Sequence, residues 1–323
     1  MSLLGRLRGR GAGARGAGPR AGAAGRDGAA EGEDLFDEAF QRRLESLALA
    51  ARRLQRGRQR GERRSRKLGA GVEFADHRDY VPGDDIRYLD WSVYQRLGRR
   101  LVRLYEEEED LSVHLLLDTS ASMAFGSPPR LRFAKQLCAA LAYVALGNLD
   151  RVSVVAVTDR PAARLEPTRG KRRILRVFEF LRPLRAEGAT RLEQAARRFV
   201  AEHRRPGLVI LLSDLYDAEG LERALRALRY AGHEVAAVHL LDPADETPDL
   251  SGDLLLVDAE TGARLELTAT PAALRAYRSA WRRWREGVER LCVERQVRYA
   301  PVRLGTPFDE AVLALLRRGL LVR

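Results

Sequence analysis

Four oxygen-bearing side chains occur together in the stretch Leu115–Met123, which reads LLLDTSASM, and three of them are regularly spaced. Asp118, Ser120 and Ser122 form a D-x-S-x-S array at the end of an apolar run. A carboxylate and two hydroxyls in one tight loop supply hard oxygen donors, which Mg²⁺ and Mn²⁺ prefer. The array predicts a divalent-cation site, and because such a short array is a weak signal alone, further ligands are required.

Two more residues occupy comparable positions later in the chain. Thr190, in EGATRLEQ, begins a predicted helix, and Asp214, in VILLSDLYD, directly follows another apolar run. Ligands of doubly wound folds bind beyond the carboxyl ends of the strands, so all five side chains are expected at one edge of a sheet. The candidate ligands of Mg²⁺ or Mn²⁺ are Asp118, Ser120, Ser122, Thr190 and Asp214.

Each of these residues also has a simpler interpretation as a helix cap. Thr190 and Glu193 have the T-x-x-E spacing of a capping box, and Asp118 or Asp214 could cap the helix that follows it. Capping does not require the five residues to converge, whereas metal binding does, so the full set favours the metal site. The two roles are compatible for Thr190, since its hydroxyl has two acceptor lone pairs.

The elements that must position these residues alternate between strands and helices. Short runs rich in Leu and β-branched residues predict buried strands, with helical periodicity between them. The predicted strands are Leu111–Leu117, Arg151–Val157, Leu208–Leu212, Glu234–Leu241 and Arg298–Leu304, and the predicted helices are Arg130–Gly147, Lys171–Leu181, Arg191–Arg204, Ala218–Ala231 and Phe308–Arg318. This alternation predicts right-handed βαβ units and an α/β fold with a doubly wound, mostly parallel sheet.

Two further elements are predicted after the fourth strand. Leu254–Val257 and Arg264–Leu267 read as a short hairpin around Thr261 and Gly262. A long helix begins at Pro271, and its apolar residues recur at spacings of three and four, which is typical of a core-facing stripe.

Composition divides the chain into four segments. Residues 1–33 are a Gly/Ala/Arg tract with few large apolar side chains, which predicts a disordered tail. Residues 34–67 contain an amphipathic helix that runs into a basic strip, and residues 68–110 predict a small β-rich domain with a Pro-Gly turn. The α/β domain is expected to span residues 111–323.

Most of the net charge lies in one short segment. The chain has 57 Lys and Arg against 45 Asp and Glu, a net charge of +12, and Arg52–Lys67 contributes +8 of it with nine basic residues and one acidic. This strip could dock on an acidic protein surface, on lipid headgroups or on nucleic acid. It lacks interleaved aromatic residues, which argues against sequence-specific or single-strand recognition of nucleic acid.

Composition and motifs exclude several classes of protein. The longest uncharged, mostly apolar stretch, Gln136–Leu149, is shorter than the ~20 residues of a membrane-spanning helix. Two cysteines, Cys138 and Cys292, are too few for a disulfide framework or a Cys-rich metal site. The chain has no G-x-x-x-x-G-K-[ST] motif for ATP hydrolysis. We expect a cytoplasmic protein, either free or peripheral at the inner face of the membrane.

Taken together, the five candidate ligands resemble the metal-ion-dependent adhesion site of the von Willebrand factor A family. In that family D-x-S-x-S, a later Thr and an Asp at the end of the fourth strand hold a divalent ion, and this sequence matches all five positions. The resemblance implies that the three hydroxyls coordinate the ion directly or through water and that the aspartates bind mostly through water. It also implies that a partner's carboxylate completes the octahedral coordination of the ion.

The segment Glu73–Trp91 contains R-x-Y-x-P-G-D-D-x-R-x-x-D-W. It resembles the hallmark region of the bacterial domain-of-unknown-function 58 family, in which a small β unit precedes a von Willebrand A-like domain, and the likeness extends over about residues 68–242. It implies a partner or adaptor of a MoxR-type AAA+ ATPase in protein maturation or complex assembly. A client protein would supply the acidic residue to the metal.

The alternating charges of this segment also have a physical interpretation. Opposite charges alternate around the Pro-Gly turn and predict Arg–carboxylate forks that fix it, at Arg78, Asp84, Asp85, Arg87 and Asp90. A structural network is the favoured interpretation, and a binding surface is the alternative.

Together these features predict a non-enzymatic, cation-dependent protein-interaction module. Two other classes stay open. A metal-dependent hydrolase would use the same carboxylates to activate water, although no general base stands out beside them. Binding of nucleic acid or another acidic surface through residues 52–67 is the second.

Overall fold

The computed structural model describes residues 7–11, 35–59, 68–69, 73–106, 111–159 and 163–321. These residues divide into two compact units, one formed by the described residues within 1–54 and 111–323 and the other by those within 55–110. Most of the predicted tail and residues 60–67 of the basic strip lie outside the described residues, so the predictions made for them stay predictions.

The secondary structure follows the predicted alternation through most of the larger unit. In chain order the strands are β1 (Leu7–Gly11), β2 (Leu68–Gly69), β3 (Glu73–Asp79), β4 (Leu101–Glu106), β5 (Ser112–Asp118), β6 (Arg151–Val157), β7 (Arg164–Arg169), β8 (Leu208–Ser213), β9 (Glu234–Leu241), β10 (Gly252–Asp258), β11 (Arg264–Ala269) and β12 (Arg298–Arg303). The α-helices are α1 (Glu38–Gln59), α2 (Trp91–Leu97), α3 (Arg130–Gly147), α4 (Ile174–Leu181), α5 (Leu192–Glu202), α6 (Ala218–Tyr230), α7 (Pro243–Glu246), α8 (Pro271–Glu294) and α9 (Phe308–Arg317). Short 3-10 helices occupy Ile86–Tyr88, Ala121–Ala124 and Lys171–Arg173.

The larger unit is built on a six-stranded sheet in the order β12-β9-β8-β5-β6-β7. Numbered along the chain from β5, and read from the β7 edge, the order is 3-2-1-4-5-6, which is that of doubly wound folds. All neighbouring strands are parallel except β6 and β7. This confirms the predicted fold class and puts the reversal of strand order between β5 and β8.

Helices cover both faces of this sheet. Leu115 and Leu117 of β5 pack in one core with residues of α3, α4 and α9, whereas Leu116 packs in a second core with residues of α5, α6 and α8. Burial on both faces explains why the inner strands read as continuous apolar runs. The edge strand β7 escaped prediction because its side chains are all exposed or half-buried.

Helix α1 packs mostly with the larger unit, whereas the sequence predicted that residues 34–67 form a segment separate from the α/β domain. Phe36 just before the helix, with Phe40 and Leu44 within it, is buried in the same core as α3, and the Phe36 ring stacks on Phe178 with centroids 4.5 Å apart. An apolar helix face needs a surface to cover, and the α/β core supplies one. The segment 34–67 is therefore divided, and its part up to Leu54 joins the α/β unit.

A second correction concerns the tail. Within residues 1–33, Leu7–Gly11 forms β1, which pairs antiparallel with β10 in the three-stranded sheet β1-β10-β11. The prediction of disorder is wrong for these five residues. Composition was a poor guide to order here because strand pairing uses main-chain N–H and C=O groups. Every residue except proline offers both groups, whatever its side chain.

The smaller unit contains the predicted β-rich segment. Strands β2, β4 and β3 form an antiparallel sheet, and α2 is a helix that the sequence pattern did not predict. The carboxylate of Asp90 caps α2 by accepting hydrogen bonds from the main-chain N–H of Ser92 and Val93. It also contacts Arg103 and His77, each at 2.9 Å.

The predicted Arg–carboxylate forks are present around the Pro-Gly turn. Arg78 donates from both terminal nitrogens to Asp84, at 2.7 and 2.6 Å, and Arg87 contacts both oxygens of Asp85. Trp91, at the end of the same motif, nevertheless exposes more than half of its surface. The forks support the structural interpretation, while the exposed aromatic ring keeps the binding-surface alternative open.

The described helices include none with the length and apolar character needed to cross a membrane.

Candidate cation site

The five predicted ligands lie at the carboxyl ends of β5 and β8 and in a neighbouring loop. Asp118 is the last residue of β5, and Ser120 and Ser122 follow it in the loop and the short 3-10 helix. Asp214 directly follows β8. Because β5 and β8 are adjacent and parallel, with Leu117 opposite Leu212, Asp118 and Asp214 lie at the same edge.

The D-x-S-x-S loop is tightly folded and closed to solvent. Asp118 Oδ1 accepts a hydrogen bond of 2.9 Å from the Ser120 N–H, and the hydroxyls of Ser120 and Ser122 lie 3.1 Å apart. All three residues are 0% exposed. The loop therefore directs one carboxylate and two hydroxyls into the protein rather than toward water.

Asp118 and Asp214 form a buried pair of like charges. Asp118 Oδ2 accepts a 2.5 Å hydrogen bond from the Ser213 hydroxyl, whereas Asp214 Oδ2 is buried and has no hydrogen-bond partner among the described residues. Burial and the neighbouring charge of Asp214 raise the pKa of Asp118 to about 7. A cation beside the two carboxylates would relieve their repulsion and supply the missing partner of Asp214.

The loop that carries Thr190 is held against the D-x-S-x-S loop by main-chain hydrogen bonds. The Glu187 N–H donates to the Thr119 carbonyl at 2.8 Å, and the Ala121 N–H donates to the Gly188 carbonyl at 2.9 Å. Gly188 has a φ of 79°, a left-handed backbone conformation that glycine adopts without strain. These bonds bring Thr190 to the same edge as the other four residues.

Thr190 itself contacts a residue that the sequence did not single out. Its hydroxyl donates to Glu260 Oε1 at 2.6 Å, and its main-chain N–H donates to Glu260 Oε2 at 3.0 Å. Glu260 lies in the loop between β10 and β11. Thr190 is only 6% exposed, so this carboxylate covers it from outside.

The simpler interpretation of these residues as helix caps does not hold. At the start of α5 the Arg191 side chain makes no capping hydrogen bond, and the Leu192 N–H donates to Asp217 Oδ2 at 3.4 Å rather than to Thr190. Glu193 pairs with Arg197 instead of closing a capping box. Helix α6 is capped by Asp217 rather than by Asp214.

A buried arginine offsets part of the negative charge. Arg130, at the start of α3, donates to the Ser122 carbonyl at 3.3 Å and forms an ion pair with Asp245. Asp245 also accepts a 2.8 Å hydrogen bond from the Tyr216 hydroxyl. The charge of Arg130 acts on Asp214 as well, but its direct ion pair is with Asp245.

The donor set fits a hard divalent cation. Two carboxylates and three hydroxyls offer only oxygen atoms, the donors of Mg²⁺ and Mn²⁺ rather than of Zn²⁺. In the part of the chain that the structure describes, His, Cys, Asp and Glu side chains do not form a metal-binding group of three or more. Any ion at this site therefore depends on the hydroxyls as well as on the carboxylates.

Sequence reasoning missed several residues around the site. Ser213 could have been found, since it directly precedes Asp214 at the end of an apolar run. Glu260, Arg130 and Asp245 carried no local signal. Glu260 is 70 residues from Thr190, and the Arg130–Asp245 pair spans 115 residues, so both depend on the tertiary fold.

Solved structures with a similar fold include von Willebrand A-type domains. The conserved hypothetical protein BatB from Bacteroides thetaiotaomicron is 16% identical, with a TM-score of 0.41, and the match covers 65% of this chain and 98% of BatB. The SpRpn10 VWA domain is 11% identical, with a TM-score of 0.36, and the match covers 64% of this chain and 94% of that domain. Likenesses of this size say nothing about function.

Sequence comparison places the chain in a family. An uncharacterized protein of Mycobacterium tuberculosis, Rv1480, is 30% identical over 245 residues, which are 74% of this chain and 77% of that protein. The family model described as protein of unknown function DUF58 matches residues 76–287. The chain therefore belongs to the DUF58 family.

Proposed function

We propose that the chain is a protein-interaction module that depends on a divalent cation, and that it is not an enzyme. Asp118, Ser120, Ser122, Thr190 and Asp214 would hold Mg²⁺ or Mn²⁺. The observation that carries the proposal is the buried pair Asp118 and Asp214 at the reversal of strand order, where Asp214 Oδ2 has no hydrogen-bond partner within the described ranges. When bound, the ion would supply a positive charge, and a carboxylate of another protein could complete its coordination.

A hydrolase at the same site is disfavoured by the surroundings of its carboxylates. A general base must be within reach of the water that it activates. His239, on the strand next to β8, is buried, and its Nδ1 shares a 2.8 Å hydrogen bond with the Tyr299 hydroxyl. The imidazole also contacts the main chain of Asp214, so the ring is engaged on both sides and buried rather than poised beside a water.

We infer that the partner is a MoxR-type AAA+ ATPase, acting with this chain in protein maturation or complex assembly. The support for this partner is the resemblance of Glu73–Trp91 to the family's hallmark region. Either the ATPase or a client protein would provide the Asp or Glu that binds the ion.

Burial of the site constrains how a partner could reach it. Every candidate ligand is at most 6% exposed, so a partner's carboxylate can approach the ion only when the covering segments open. The same burial favours a second role, in which the ion holds the loops after β5 and β8 together without any partner.

Capture of the purified ATPase by the immobilised full-length chain distinguishes the two roles. The interaction role predicts capture in Mg²⁺, loss of capture in EDTA, and loss in Asp214→Asn. Glu219→Gln, on the exposed surface of α6, is the matched control and should behave as wild type. Equal capture in Mg²⁺ and EDTA contradicts the interaction role, and if Mg²⁺ still raises the unfolding temperature, the ion is structural.

A further inference from the structure

We propose that Glu260 is a positioning residue of the cation site, an outer carboxylate that orients the Thr190 hydroxyl toward the ion. The inference rests on the proposed function, because it assumes that an ion binds there.

The first support is the geometry of the contact. Glu260 uses both carboxylate oxygens on Thr190, one for the hydroxyl at 2.6 Å and one for the main-chain N–H at 3.0 Å. A two-point contact of this kind fixes the side-chain rotamer of Thr190 relative to its own backbone. The hydroxyl oxygen is thereby held in one position rather than in three.

The second support is the chemistry of a hydroxyl. Thr190 has one hydroxyl proton, and when Glu260 accepts it, the oxygen has only lone pairs left to offer. A hydroxyl in that state can serve as a metal ligand without competition from its own proton. Carboxylates that accept hydrogen bonds from metal ligands both orient them and make them better donors.

The third support is that the hairpin tip is ordered independently of Thr190. Asp258 is buried, and its Oδ1 accepts hydrogen bonds from the Glu260 N–H at 3.0 Å, the Thr261 N–H at 2.7 Å and the Thr261 hydroxyl at 2.9 Å. Asp258 also donates its N–H to the Ala263 carbonyl across the turn at 2.8 Å. Glu260 is therefore presented from a preformed turn.

A role for Glu260 in capping α5 does not account for these contacts. These two hydrogen bonds come from Thr190, which precedes the Arg191 cap position, and so they do not cap the helix that begins at Leu192.

Titration of Mg²⁺ into the full-length protein tests the inference. We expect Glu260→Ala to weaken Mg²⁺ binding about tenfold or more, as removal of an outer-shell partner does. Glu260→Gln should have a smaller effect, since its carbonyl still accepts the hydroxyl proton while its NH₂ group faces the Thr190 N–H. Because Glu260 acts through Thr190, adding Glu260→Ala to Thr190→Ala should cause no further loss.

Asp253→Ala is the matched control. Asp253 lies on the same hairpin, carries the same charge and accepts a 2.6 Å hydrogen bond from the Thr268 hydroxyl, so its loss should leave Mg²⁺ affinity unchanged. Wild-type affinity in Glu260→Ala, tighter binding, or an undiminished loss on the Thr190→Ala background would each overturn the role of Glu260 and leave the proposed function standing. Failure of the wild-type chain to bind Mg²⁺ would overturn both.

Discussion

Asp118 and Asp214 place two carboxylates together in the interior of the protein, an arrangement that is costly without a compensating positive charge. Arg130 supplies part of that charge but is paired with Asp245. The two aspartates should therefore lower the stability of the protein without a cation and raise it when a cation is bound.

Replacing one of the two carboxylates by an amide should stabilise the protein without the cation and destabilise it when the cation is present. In EDTA, Asp214→Asn should unfold at a higher temperature than wild type, because the repulsion with Asp118 is gone. In Mg²⁺ it should unfold at a lower temperature, since wild type gains about 2.7 kcal/mol at a free cation concentration 100 times its Kd. Thermal unfolding in the two buffers measures both signs, with Glu219→Gln as the unaffected control. A lower unfolding temperature in EDTA would contradict the account of the pair.

The placement of the five candidate ligands could be predicted from the sequence because each lies close to the end of a strongly patterned strand or the start of a helix. Asp118 and Asp214 follow apolar runs, and adjacency of parallel strands brings them together. Glu260 could not be predicted in this way. Its contact with Thr190 depends on where a hairpin folds relative to the sheet, and no local pattern encodes that position.

At the scale of elements, α1 shows how an amphipathic pattern specifies a helix without specifying its partner. The spacing of Phe36, Phe40 and Leu44 predicted the helix, and the structure packs that face on α/β core residues. The inner strands could be predicted because continuous apolar runs mark burial on both faces. β7 and α2 could not, since their side chains are exposed or half-buried and give no apolar stripe.

Two leucines of α1 provide a matched test of this packing. Leu44 is 1% exposed and Leu49 is 61% exposed in the same helix. Leu44→Ala should lower the free energy of unfolding by about 2–5 kcal/mol, because it leaves a cavity in the core. Leu49→Ala should change it by less than about 0.5 kcal/mol. Denaturant unfolding of both variants measures the difference, and equal effects would show that α1 does not pack on the core.

At the scale of the whole molecule, buried histidines make stability depend on pH. His114, on β5, lies near His203 and His233, with ring centroids 4.9 and 6.0 Å away, and its Nε2 is buried without a hydrogen-bond partner among the described residues. Burial and the charges of the other two rings lower the pKa of His114 to about 3. Burial likewise lowers the pKa of His239 to about 3.

These shifts predict a loss of stability in acid. Between pH 6.5 and 3 the unfolded chain binds protons at these histidines that the folded chain does not, so the free energy of unfolding falls as the pH falls. Each histidine contributes up to about 1.4 kcal/mol per pH unit in this window. Asp118, whose pKa is raised, acts in the opposite direction when no cation is bound, so all comparisons need the same cation concentration.

A variant without the His114 imidazole isolates this effect. His114→Phe combined with Ser153→Ala removes the ring together with the hydroxyl that contacts its Nδ1 at 2.7 Å. Denaturant unfolding at pH 5 and pH 7 should show a smaller pH-dependent difference than in wild type. An unchanged difference would show that His114 does not resist protonation in the folded state.

The central claim is that Asp118, Ser120, Ser122, Thr190 and Asp214 hold one divalent cation. Diffraction from crystals of the full-length chain grown with Mn²⁺, collected at the manganese absorption edge, tests it most directly. One anomalous peak is expected among these five side chains, at coordination distance from the hydroxyls of Ser120, Ser122 and Thr190. No peak there at saturating Mn²⁺, or a peak only elsewhere on the chain, would contradict it.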